Sequence, residues 1–198
     1  MQKSLQVWQF IYNCLQQATP AILLYVVESK GSSPGRQGFF MAVNRDGEME
    51  GSIGGGIMEH KFVEMAKEQL RQTDEHTTGG SIKKQIHDKS AGSNQSGMIC
   101  SGEQTIILLS ITEKDETVVK SIISSLQQNK NGTLTLSPGF ISFEDKIPAK
   151  NYEFQFHAEQ EWIYREKTGY KQQLFIVGGG HCALAFSKLM QDLDFYIT

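Results

Sequence analysis

The chain has 198 residues, 39% of them hydrophobic and 21% charged, with a formal net charge of -3. That balance belongs to a folded globular protein and excludes a disordered tail, and the length suits one well-cored domain of roughly 150 residues plus a smaller unit. The net charge, with no basic cluster denser than Lys83-Lys84, argues against nucleic-acid binding, and the longest apolar run, Ala21 to Val27, is far short of the roughly 20 residues of a membrane helix.

In chain order, apolar residues at Leu5, Trp8, Ile11, Tyr12 and Leu15 recur at helical spacing and predict a first helix that Pro20 ends. Ala21 to Val27 is β-branched, apolar and bounded, which predicts a strand buried on both faces. Phe39 to Val43, the turn Asn44 to Gly47 and Glu48 to Ile53 read as strand, turn and strand, with Asp46-Gly47 supplying the positive φ of a tight hairpin. Three glycines, Gly54 to Gly56, then lead into a helix over Ile57 to Gln72. Ser81 to Lys89 reads as a strand, Ser90 to Gly102 as a loop, and Gln104 to Ile111 as a second strongly apolar strand. Glu116 to Gln128 has helical periodicity, with Asn131-Gly132 expected as its C-cap. Strands follow at Thr133 to Leu136, Phe140 to Phe143, Tyr152 to His157 and Glu161 to Glu166. A helix followed by several strands predicts an α+β domain over residues 1–168.

Lys167 to Gln173 reads as a linker, after which Leu174-Phe175-Ile176-Val177, three glycines and the helical segment His181 to Leu193 have the order that opens a dinucleotide-binding βαβ unit. Such a unit needs roughly 30 residues and an acidic residue about 20 positions beyond its glycines. Thr198 comes first. Residues 169–198 are therefore expected to be a linker and the start of a truncated α/β Rossmann-like domain. Its incomplete sheet would leave an apolar face and an open edge, so a homodimer is expected. The three cysteines, Cys14, Cys100 and Cys182, form neither a paired framework nor a CxxC site and read as reduced thiols. The N-terminus lacks the basic and apolar regions of a signal peptide, and a cytoplasmic location is expected.

Four constellations carry chemistry. Gly31-Ser32-Ser33-Pro34-Gly35-Arg36-Gln37-Gly38 combines glycines that allow close backbone approach, two hydroxyls and a guanidinium suited to phosphate or carboxylate. An ordinary surface turn is the plainer reading of such a cluster. Gly51-Ser52-Ile53-Gly54-Gly55-Gly56 opens the helix carrying Glu59 and His60, so backbone N–H groups at the helix start could face an anion. No Gly-Lys-Ser/Thr follows, which excludes a Walker loop. Glu59 is favoured over His60, although a first-turn glutamate also simply complements the helix dipole. Ser96 to Gly102 places Cys100 between glycines, where a thiolate could act as a nucleophile or soft-metal ligand; Cys14 and Cys182 read as packing residues. Finally, Gly178-Gly179-Gly180-His181-Cys182-Ala183 meets the form G-x-G-x-x-A, with Gly178, Gly180 and Ala183 as an incomplete nucleotide-binding site.

Taken together, Gly31 to His60, Gly97 to Leu108 and Leu174 to Ala185 resemble the XdhC/CoxI family, the accessory factors of xanthine dehydrogenase and related molybdenum hydroxylases. The resemblance implies an N-terminal domain that handles the molybdenum cofactor and a C-terminal Rossmann domain. It implies that cofactor is bound, protected, sulfurated with a cysteine desulfurase and passed to the apo hydroxylase, by a factor without turnover of its own. Carried over by residue, the cofactor loops fall at Gly31, Ser32, Ser33, Pro34 and Arg36, at Gly51, Ser52, Gly54, Gly55, Gly56 and Glu59, and at Cys100 and Gly102. Cys100 is the one metal-ligand candidate. The chain departs from the pattern at Ile57, where many members have a cysteine, and at Ser101 and Glu103, which flank Gly102 in place of a Cys-Gly-Gly run. Two other readings stand beside this one: an NAD(P)-dependent oxidoreductase built on the glycine turn, and a non-catalytic interaction fragment.

Overall fold

The structure is a computed structural model that describes residues 2–72, 80–86, 102–190, 193 and 195–198. The apolar run after Pro20 becomes the centre of a five-stranded antiparallel sheet. In it β1 (Ala21–Gly31) lies between β2 (Phe40–Asn44) and β5 (Gly102–Ile111), with β3 (Met49–Gly51) and β4 (Gly80–Ile86) at the edges. Successive side chains of a strand point to opposite faces, and β1 buries both. Ile22, Leu24 and Val26 join one core layer, while Leu23, Tyr25 and Val27 join the other.

Each layer has its own cover. On the first side α2 (Gly56–Gln72) lays down Met58, Phe62, Ala66 and Leu70, a stripe at helical spacing, in one core cluster with Met41 and Val43 of β2 and Ile106 and Leu108 of β5. On the other, Trp8 and Ile11 of α1 (Gln2–Gln16) and Val119, Ile122 and Leu126 of α3 (Glu116–Gln127) share a core with Ile107 and Leu109 of β5. A second antiparallel sheet completes that layer, with β6 (Gly132–Ser137) and β9 (Glu161–Thr168) inside and β7 (Phe140–Glu144) and β8 (Tyr152–Ala158) outside. Burying one such aliphatic side chain stabilises by roughly 1.5–3 kcal/mol, so the doubly covered β1 is the anchor of the fold. The α+β expectation holds.

Three local expectations are corrected. The left-handed residue closing α3 is Asn129, with φ of 55°, and Lys130 N–H donates to Ser125 O at 2.9 Å. Gly132 instead opens β6, where a Cβ would meet the Phe143 ring. The expected linker is short, because β9 runs to Thr168 and β10 (Gln172–Leu174) starts four residues later. Gly169 and Tyr170 are fastened to Asn131, whose Oδ1 accepts from Tyr170 N–H at 2.8 Å. Of the apolar run Leu174 to Val177, only Leu174 lies in a strand, and Phe175 and Val177 project outward.

The chain then forms α4 (His181–Met190) and β11 (Phe195–Ile197), which pairs in parallel with β10. A parallel pair with an intervening helix is a βαβ connection. No residue of α4 is buried, and Cys182, read from the sequence as a packing residue, is exposed. Among the described residues no helix is long and apolar enough to cross a membrane.

Candidate functional site

The first two glycine loops are brought together by the sheet. Loop 31–38 joins β1 to β2 and loop 51–56 joins β3 to α2, so β1, β2 and β3 deliver both to one end of the sheet. The third segment arrives by register, Gly31 pairing with Gly102 at the start of β5. Backbone contact between the three is close. A Cβ on Gly35 would lie 2.0 Å from Ile53 O, one on Gly54 would lie 2.6 Å from Gly35 N, and one on Gly102 would lie 2.7 Å from Ser32 O. Real Cβ atoms do not come that near, so these positions need glycine for space, and Gly54, with φ of 130°, needs it for its backbone conformation as well.

Polar side chains fasten the junction. Ser33, buried, donates from Oγ to Gly35 O at 3.1 Å. Gln104 donates from Nε2 to Gly35 O at 3.0 Å and to Ile53 O at 3.2 Å. Ser32 and Arg36 are exposed on the outer side, with Arg36 Nη1 donating to Gly31 O at 3.3 Å.

Glu59 caps the start of its own helix, the plainer of the two readings of its position. Its Oε2 accepts from Ser52 Oγ at 2.7 Å, Ile53 N–H at 2.9 Å and Gly55 N–H at 3.0 Å, while Gly54 N–H donates to Ser52 Oγ at 3.1 Å. A carboxylate at the start of a helix satisfies the orphan donors and complements the dipole. The anion facing the donors of this loop is therefore the protein's own. Gly51 turns the chain under Phe40 with φ of 94°; Gly55 and Gly56 also have positive φ, and the space beside Gly55 is open. His60 is exposed. Cys100 lies outside the described residues, and among those described there is no group of three or more His, Cys, Asp and Glu able to hold a metal.

A second buried cluster sits at the far end of loop 31–38. Glu166, 3% exposed, accepts at Oε2 from Tyr25 Oη at 2.7 Å and Tyr164 Oη at 2.6 Å, and at Oε1 from Lys171 Nζ. Burial and the adjacent carboxylate hold both phenols well above their ordinary pKa. Burial opposes the Lys171 charge, but Glu166 and Tyr152 outweigh it and its pKa is raised. A Cβ on Gly38 would meet Tyr152 and Glu166, so the loop base rests on this cluster. Sequence reading missed it, along with Gln104.

The C-terminal glycine turn is built otherwise. Among the described residues nothing lies within 4 Å of a Cβ on Gly178, Gly179 or Gly180. The hollow over Gly178, Gly179 and Ala183 holds about 270 Å³, below the roughly 300–1,000 Å³ of ligand pockets. A larger hollow, about 1070 Å³, runs along His60, Glu64 and Glu68 of α2 toward β4 and does not touch the three loops.

Residues 14–78, from the end of α1 through both glycine loops and α2, match the model of the XdhC and CoxI family. The two-loop segment is similar to XdhC and CoxI sequence. The match contains every candidate residue from Gly31 to Glu59. A crystal structure described as a xanthine dehydrogenase from Bacillus halodurans has a similar fold, with a TM-score of 0.62 at 16% identity. The alignment covers 96% of this chain and 60% of that one, so the chain spans about 60% of the length of its structural neighbour. None of the curated proteins matches it.

Proposed function

We propose that the chain binds the molybdenum cofactor, protects it and delivers it to an apo molybdenum hydroxylase of the xanthine dehydrogenase type, without turnover of its own. The observation that carries this reading is the junction of the two glycine loops with Gly102, at which Gly35, Gly54 and Gly102 have no room for a side chain. The XdhC and CoxI match across both loops and the description of the fold neighbour support the same reading.

The donor set fits an anionic cofactor at one part of the rim and not at another. Arg36 and Ser32 are exposed donors beside that junction, suited to phosphate or oxo groups. The donors ahead of α2 do not fit, because Glu59 holds them and would repel a second anion. We therefore assign the phosphate end to Arg36 and Ser32, and, from its sequence context, Cys100 to the molybdenum end as a soft ligand. When bound, the cofactor supplies the metal centre that the recipient enzyme uses. We further assign a cytoplasmic site of action, a cysteine desulfurase as partner in sulfuration, and residues 169–198 as a linker and the opening of a Rossmann-like domain whose exposed apolar face pairs with a second copy.

Acid-iodine oxidation tests the central assignment. Protein purified from cells that make the cofactor should yield the fluorescent pterin derivative, and Arg36→Ala should lower the yield about tenfold. A wild-type protein that yields none overturns the reading. Undiminished yield from Cys100→Ser removes the role given to that thiol. The NAD(P) alternative keeps one supporting observation, the parallel β10–α4–β11 order behind a glycine turn. A rise in Tm on adding NAD or NADP would favour it.

A further inference from the structure

Gln104 stands two residues into β5 beyond Gly102 and is 1% exposed. Its amide nitrogen has two hydrogens, and they go to different loops, one to Gly35 O and one to Ile53 O. Both acceptors belong to buried residues, whose carbonyls need a protein partner. Among the described residues, the hydrogen bonds that reach loop 31–38 and loop 51–56 from one side chain are those of Gln104. Ser29, its partner across the β1–β5 ladder, takes no part in this bridge, and its buried hydroxyl has no hydrogen-bond partner among the described residues.

The side-chain type is specific to this geometry. A glutamate would set a carboxylate against two carbonyl oxygens, a methionine would fill the space without a donor, and an asparagine is one methylene too short to reach both loops. The glycines at 35 and 54 let the loops touch, but glycine contacts alone do not fix a separation. A bridging amide does. We propose that Gln104 is a positioning residue: it fixes the distance between the two loops, and so holds Arg36 and Ser32 of loop 31–38 in one position for the ligand. The ligand half of this inference rests on the cofactor reading above; the structural half does not.

Two measurements on the full chain separate the halves. In Gln104→Met, hydrogen exchange at the amides of Gly38, Ile53 and Gly55 should quicken at least tenfold while residues 22–26 of β1 keep wild-type protection, and pterin yield after acid-iodine oxidation should fall about tenfold. Wild-type exchange in both loops overturns the proposal. Loosened loops with undiminished pterin yield overturn the ligand half and leave the cofactor reading intact, whereas absence of pterin from the wild type overturns that reading. Should Gln104→Met fail to fold, Gln104→Asn decides. Its amide reaches one loop at most, so both readouts must move in the same direction by a smaller factor, and wild-type values for both overturn the proposal.

Discussion

Two glycine-rich turns in this chain lead into helices, at residues 51–56 and 178–180, and they are opposites in packing. Gly54 lies against the backbone of Gly35, and Glu59 reaches back from α2 to hold Ile53 and Gly55. Among the described residues nothing lies within 4 Å of a Cβ placed on Gly178, Gly179 or Gly180, and the α4 helix they precede buries no side chain. The same residue type thus answers two demands. In the first turn glycine is needed because other backbone occupies the space; in the second it is needed only for chain conformation, as at Gly178 with φ of 121°. A glycine run before a helix signals permission for an unusual path, and its neighbours decide whether anything is built there.

The contrast makes its largest prediction for single methyl groups. Gly35→Ala puts a Cβ 2.0 Å from Ile53 O and 2.3 Å from Gln104 Nε2, and because the obstacle is backbone it cannot step aside. Overpacking of this kind costs about 3 kcal/mol. Gly179→Ala meets open space at a φ that is not positive, and should change stability by less than about 0.5 kcal/mol. Urea denaturation of the two variants checks this, and equal midpoints would break the comparison.

The next effect separates the loops by their polar fastening. Glu59→Ala removes the acceptor of three bonds from Ser52, Ile53 and Gly55, and hydrogen bonds to a charged group are individually worth more than neutral ones. Because Glu59 is half-buried, water replaces part of the loss, and a destabilisation of about 1–2 kcal/mol is expected. Nothing comparable is available to the turn at 178–180. A variant as stable as wild type in thermal denaturation would show that the loop needs no anion.

Alkaline titration reads the other end of loop 31–38. Tyr25 and Tyr164 have raised pKa values in the folded state because of burial first and Glu166 second. Above the ordinary tyrosine value of about 10 the unfolded chain releases protons that the folded chain keeps. Stability from these phenols is thus complete below that pH and is lost as pH rises through the folded values. Two of the six tyrosines should ionise, by absorbance at 295 nm, only together with loss of the circular dichroism signal. Ionisation of all six with the fold intact would contradict this.

These sites differ in how far the sequence exposes them. Strand β1, α2 and the α+β order were legible because burial imposes periods of two and 3.6 on the residues themselves. The meeting of Gly31 to Arg36 with Gly51 to Glu59 was legible through family resemblance, though not the identity of the group that occupies the second loop. A glutamate in the first turn of a helix fits a ligand contact and a self-cap equally well until Oε2 is seen on Gly55 N–H. Gln104 left one signal, a polar residue at the start of an apolar strand, and its two acceptors are 69 and 51 residues away. Tyr25 and Glu166, 141 residues apart, left none, since periodicity says which side chains are buried and not which ones meet. Cys100 lies outside the described residues, so its expectation rests on sequence.

The smallest stability effect, and the sharpest test of the C-terminal side of the comparison, is Leu189→Lys. Leu189 is 72% exposed on α4, and Phe175, Leu184 and Val177 of the same C-terminal unit also project outward, the last 99% exposed. A lone surface leucine buries little on folding, so its replacement should shift stability by less than about 0.5 kcal/mol. Its effect should fall on association, because exposed apolar faces mark contact surfaces and a lysine ammonium is strongly hydrated. Light scattering should show wild-type protein dimeric and Leu189→Lys shifted to monomer, with the urea midpoint unchanged. A lowered midpoint at monomeric concentrations would mean that α4 is covered within its own chain, and the contrast between the two glycine turns would fail. An unshifted dimer with an unchanged midpoint would leave that contrast standing and place the self-contact elsewhere, away from the face that the parallel pair β10 and β11 leaves open.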